Sequence, residues 1–115
     1  MTSKVIRREV LVGAAAFAAA LALPAKSALA ATPKRHDVRI NSFEFEPQHI
    51  EVNVGDMIVW TNEDLAPHTA TADEGGWDTG EIVKNDHRSV TVTEGMETSY
   101  FCAFHPHMKG TIEVS

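Results

Sequence analysis

Cysteine is almost absent: Cys102 is the only one in 115 residues, so no internal disulfide can brace the chain. Long hydrophobic runs are missing too. The longest, the Ala-rich stretch from Val10 to Leu23, covers 14 residues, whereas a membrane-spanning helix needs about 20. Positive charge is scarce beyond the first thirty residues. From Ala31 onward six Lys and Arg stand against fifteen Asp and Glu, a formal net of −9. That balance argues against nucleic acid, whose phosphates need a basic face. The chain also has no repeat, no low-complexity tract and no long 3.6-residue period, which argues against a helical or repeat architecture.

The start of the chain has the layout of an export signal. Lys4, Arg7 and Arg8 precede the apolar stretch, and Ser27-Ala28-Leu29-Ala30 offers small residues where a signal peptidase cuts. A signal peptide over residues 1–30, cleaved near Ala30, and a periplasmic location are expected. Ile6-Arg7-Arg8-Glu9-Val10-Leu11 resembles a twin-arginine signal, a route that carries proteins already folded. The remaining 85 residues, 31–115, then form one domain.

Within that domain apolar residues alternate over short runs. Val38 and Ile40 alternate, as do Phe43 and Phe45 before Pro47. Ile50, Val52 and Val54 keep the period and end at Gly55-Asp56. Ile58 and Trp60 share one face of the next run. Val90 and Val92, then Tyr100 and Cys102, then Ile112 and Val114 continue the pattern. About seven short strands separated by turn signals predict an all-β fold, a small antiparallel β-sandwich. Glu63–His68, Asp73–Gly80 and Ala103–Lys109 are expected to be loops, the second of them exposed.

The chemistry concentrates near the end. A lone cysteine can be an inert core thiol. Here, however, Cys102-Ala103-Phe104-His105-Pro106-His107-Met108 sets a thiol, an imidazole and a thioether within seven residues. Thiolate and thioether are soft donors that favour copper, and imidazole serves both of its oxidation states. Zinc favours four Cys and His ligands and rarely takes methionine. A domain this small buries only about 60% of its unfolded surface, so a bound metal would also supply the missing brace. One loop gives only part of a site, and a second His must come from elsewhere. His68, after Pro67 at the end of a loop, can lie beside Cys102 in a sandwich. His36, His49 and His87 are expected at the surface.

Taken in order, Phe45-Glu46-Pro47, Ile50-Glu51-Val52, Gly55-Asp56, Trp60-Thr61-Asn62-Glu63-Asp64, Pro67-His68 and Tyr100-Phe101-Cys102 through Met108-Lys109-Gly110 resemble the cupredoxins, the small blue copper proteins. The likeness is strongest to the amicyanin and plastocyanin branch, and the Cys-x-x-His-x-x-Met spacing is that of amicyanin. The resemblance implies a Greek-key sandwich and one copper ion cycling between Cu(I) and Cu(II). It implies His68, Cys102 and His105 as strong ligands and Met108 as a weak axial one. It further implies an electron carrier; a monomer that is not an enzyme is expected. Its expected partners are redox proteins such as a c-type cytochrome or a periplasmic dehydrogenase or reductase, meeting it through a basic docking face.

Two residues depart from the family pattern. Thr69 stands where asparagine is usual, so loss of an amide tether between loops is expected. Phe104 replaces a proline. His107, beside Met108, is expected to face outward. Among rival functions, a nucleophilic Cys102 would need a base and an oxyanion site, and a multicopper enzyme would need more histidine pairs and more domains. A copper storage or delivery protein could use the same ligands, and is the alternative that remains.

Overall fold

The computed structural model describes residues 32–115; the expected signal peptide lies outside them. The unit from Pro33 to Ser115 is built from β1 (Arg35–Asn41), β2 (Glu44–Glu46), β3 (His49–Val52), β4 (Met57–Asn62), β5 (Thr71–Ala72), β6 (His87–Thr91), β7 (Ser99–Cys102) and β8 (His105–Val114). They form two four-stranded sheets, in the orders β2-β1-β4-β6 and β3-β8-β7-β5. The expected sandwich is therefore present, but it is mixed rather than wholly antiparallel. β1 runs parallel to β4, from Arg35 opposite Met57 to Ile40 opposite Asn62, and β3 runs parallel to β8. Period two reports which face a residue occupies, not the direction of the neighbouring strand. The chain crosses repeatedly between sheets, so strands distant in sequence become neighbours.

Most of the alternating residues meet between the sheets as expected, Phe43 excepted, which is 41% exposed in the turn between β1 and β2. Val38, Ile40, Ile58, Trp60, Tyr100 and Cys102 are all essentially inaccessible. Val54 is a correction: it continues the period of Ile50 and Val52, yet β3 ends at Val52 and Val54 is half-exposed. The Asp73–Gly80 loop is exposed over most of its length, as expected. It is pinned by Glu97, whose carboxylate accepts the N–H groups of Glu74 and Gly76. Trp77 turns inward to stack on Trp60, with ring centroids 5.6 Å apart. Where β7 crosses β8, Tyr100 pairs with Gly110. A Cβ at Gly110 would overlap the Tyr100 ring, so glycine is required there for steric reasons.

The Gly55-Asp56 turn fixes the start of β4. Gly55 supplies a φ of +98°, a conformation that side chains resist. Asp56 is buried, and its carboxylate accepts the N–H of Lys34 (3.0 Å) and of Asn53 (2.9 Å) and meets His36 Nε2 at 2.8 Å. His36, expected at the surface, is accordingly a partly buried structural partner of Asp56. The N–H of Asn53, His36 and the N–H of Lys34 together bring the Asp56 carboxyl down to about 2. A folded-state pKa below the ordinary value of about 3.9 stabilises the fold above pH 4. That contribution is lost as pH falls from about 4 toward 2. Asp56→Asn keeps the volume but turns one acceptor into a donor, leaving a buried N–H unpaired at a cost of about 1–3 kcal/mol. Urea titration should show this loss at pH 7 and a smaller one at pH 3. A difference independent of pH would discount the carboxylate.

Candidate metal centre

Asn62, at the end of β4, organises the loop that delivers His68. Its buried side chain donates to the carbonyls of Ala66 and Ile82, both at 2.9 Å, and accepts the N–H of Asp64 at 2.8 Å. The backbone of His68 then pairs with Ile82 in both directions, at 3.1 and 2.7 Å. With the loop held at both ends, the His68 side chain is completely buried. Its Nδ1 lies 3.6 Å from Cys102 Sγ.

Cys102 ends β7 and His105 begins β8, so the expected Ala103–Lys109 loop shrinks to a turn at Ala103 and Phe104. The turn folds His105 back until its Nδ1 is also 3.6 Å from the sulfur. The donor atoms of His68, Cys102 and His105 all lie within 4.8 Å of one another. Met108 is three residues further along β8, where the strand alternates regularly, and is buried while His107 is exposed. Met108 lines a cleft together with Phe43, whose ring lies against both imidazoles. The expected outward face of His107 and inward face of Met108 thus follow from strand geometry. His49 and His87 are exposed on β3 and β6. His49, Glu51 and Glu113 also come within 4.8 Å of one another, but that group is fully on the surface.

Thr69 corrects one expectation. Its backbone N–H donates to Cys102 Sγ at 3.3 Å. Its hydroxyl accepts the N–H of Ala103 at 2.8 Å, so the two loops remain tied, by a hydroxyl in place of an amide. The same hydroxyl meets Thr71 Oγ1 at 2.9 Å.

Two further residues shape the site and were not singled out by sequence. Asp64 Oδ2 lies 2.8 Å from His68 Nε2. Burial pushes the Asp64 carboxyl up, but the N–H of Phe43, His68 and the N–H of Ser42 outweigh it and hold the group below its ordinary value. An ionised carboxylate only accepts, so Nε2 carries a ring hydrogen toward Asp64, which holds the imidazole with Nδ1 facing the sulfur. Phe43, at the β1–β2 turn, sits edge-on to His68 and His105, with centroid distances of 5.1 and 4.8 Å. Asp64 sits four residues before His68, the one local signal available; nothing local marked Phe43.

One thiol and two imidazoles, converging with both Nδ1 atoms on the sulfur in a largely buried pocket, suit a soft or borderline metal. The N–H on the sulfur is the kind of outer hydrogen bond that supports a thiolate. The donor set fits copper.

Comparison with known proteins agrees. Residues 34–115 match the family model for copper binding proteins of the plastocyanin/azurin family. Amicyanin of Paracoccus denitrificans is 29% identical over 82 residues, covering 67% of this chain and 63% of that protein. Amicyanin of Paracoccus versutus is 28% identical, with 67% and 62% covered. The match thus spans less than two thirds of the length of either relative. A structure of an amicyanin variant in its Cu(I) form is 30% identical and superposes with a TM-score of 0.63, covering 70% of this chain and 82% of that one. By fold, by donor chemistry and by the family match over nearly all of its described residues, this chain belongs to the plastocyanin/azurin family of copper-binding proteins.

Proposed function

We propose that this protein carries single electrons between redox partners in the periplasm, with His68, Cys102 and His105 as strong copper ligands and Met108 as the weak axial one. The convergence of both imidazole Nδ1 atoms on the buried Cys102 sulfur carries this reading. Copper, when bound, supplies the one-electron couple. The chain's own residues keep the donors still. Asn62 and Ile82 hold His68, Thr69 ties the Cys102 turn, and the sandwich buries His68 and Cys102. A site whose donors do not move between oxidation states adds little to the barrier of electron transfer. The buried thiol is out of reach of a substrate, which supports a carrier over an enzyme.

His105 is only partly buried and forms the way in and out. Leu65 (85% exposed) and Phe104 (50% exposed) provide apolar surface in the loop after β4 and the turn before β8. The acidic balance of the domain suits a partner with a basic face, and docking of modest area allows rapid release. Export through the signal in residues 1–30, cleaved near Ala30, completes the proposal, with residues 31–115 as the mature domain.

One equivalent of copper(II) added to the purified mature protein should give an intense visible thiolate-to-copper band and reversible one-electron voltammetry. A colourless complex, or copper surrendered at once to a mild chelator, would move the assignment to storage or delivery.

A further inference from the structure

The β1–β2 turn is unusual for its residues. Ser42 and Phe43 are successive non-glycine residues at φ 56° and 61°, a left-handed conformation that side chains disfavour and that persists only where the surroundings enforce it. What enforces it is Asp64. One carboxylate oxygen accepts the N–H of Ser42 at 2.8 Å and the other accepts the N–H of Phe43 at 2.9 Å. Successive N–H groups converging on one anion are a recurrent backbone cradle. The oxygen that holds Phe43 also holds His68 Nε2. The turn thus directs the Phe43 ring, itself 41% exposed, edge-on against both imidazoles at interplanar angles of 89°.

We infer that Asp64 is a positioning residue that locks the Phe43 turn and the His68 ring into one unit, making Phe43 the fixed cover over both histidines. This rests on the reading of His68 and His105 as copper ligands. A half-exposed phenylalanine gains little from core burial; its packed neighbours here are the two rings. Held in place, it restricts their rotation and screens the site from water and competing ligands. Released, the turn would relax from its left-handed conformation and carry the ring away. Asp64 therefore acts on the site twice, through His68 directly and through Phe43 at a distance from the metal.

The test has a metal-free arm and a copper arm. In the metal-free protein, Asp64→Ala should speed amide exchange at Ser42 and Phe43 by about tenfold or more, because both bonds that protect them are lost. It should also move the ring-proton shifts of His105, which Asp64 does not touch, toward those of Phe43→Ala. Unchanged exchange and unchanged His105 shifts would overturn the clamp.

In the copper-loaded protein, Asp64→Asn and Phe43→Ala should each speed copper removal by a chelator about 10–100-fold, the range seen for lost outer-shell partners. The double variant should be little faster than the quicker single one, since the two act as a unit. Effects that multiply would overturn the coupling. Asp64→Asn should raise the reduction potential, because a carboxylate beside His68 favours the more positive oxidised site; Phe43→Ala lacks that charge change. A shift of equal size in both would reduce Asp64 to a structural role. Should the wild-type protein form no Cys102-dependent copper complex, the ligand reading falls, while the amide-exchange arm still decides the clamp.

Discussion

Cys102→Ala should abolish the visible thiolate-to-copper band and weaken copper binding by more than about a hundredfold, beyond the 10–100-fold typical of losing a mere supporting bond around a metal. The sulfur is the point on which the site converges: both histidine Nδ1 atoms approach it at 3.6 Å. Two imidazoles and a thioether remain in the variant, and they can hold Cu(I) weakly, but they cannot give the charge-transfer colour. The metal-free fold should suffer far less. Cys102 is a small buried group, and the chief structural loss is the acceptor of the Thr69 N–H, worth about 1–3 kcal/mol. Absorption spectroscopy, copper titration and thermal melting of the apo form separate these effects. A variant that stayed coloured and redox-active would refute the ligand assignment.

The largest effect on stability is expected from Trp60→Ala. Trp60 is wholly buried at the centre of the sandwich. It stacks on Trp77 at 5.6 Å and meets Tyr100 edge-on at 5.5 Å. Removing a buried tryptophan costs about 3–5 kcal/mol. The whole stability of a domain under a hundred residues is roughly 5–10 kcal/mol, and no disulfide offsets the loss. Melting of the metal-free protein, followed by circular dichroism, should fall by about 15–30 °C or show no folded baseline. Trp77 should be freed at the same time, so the Asp73–Gly80 loop should become protease-sensitive. A loss below about 1 kcal/mol would mean that the cavity collapses around Tyr100 and that the stack is incidental.

The two predictions differ in how far the sequence anticipated them. Cys102 stood out because it is the only cysteine and because histidine and methionine follow at a known spacing. Trp60 was legible as an inward strand residue, but its partner Trp77 was not. That residue lies in a Gly-rich, exposed stretch, and it turns inward only because Glu97, from another turn, and the backbone of Ala70 and Ala72 hold the loop. Thr69 shows the same limit in reverse. The change from asparagine to threonine implied a lost tether, whereas the hydroxyl reaches the N–H of Ala103, 34 residues away, and restores it.

The sequence by itself determined the candidate donors, most of the strand faces and the all-β class. Each is a local property: soft sulfur donors and imidazoles select copper wherever they converge, and a period of two assigns residues to a face without knowledge of the neighbours. Only the tertiary structure decided that two strand pairs run parallel, that His36 is bound to Asp56, and that Asp64 joins Phe43 to His68. Most of these contacts join residues some twenty or more positions apart. No short-range pattern encodes them, because they exist only once the sheets have packed and brought separate loops to the same end of the sandwich.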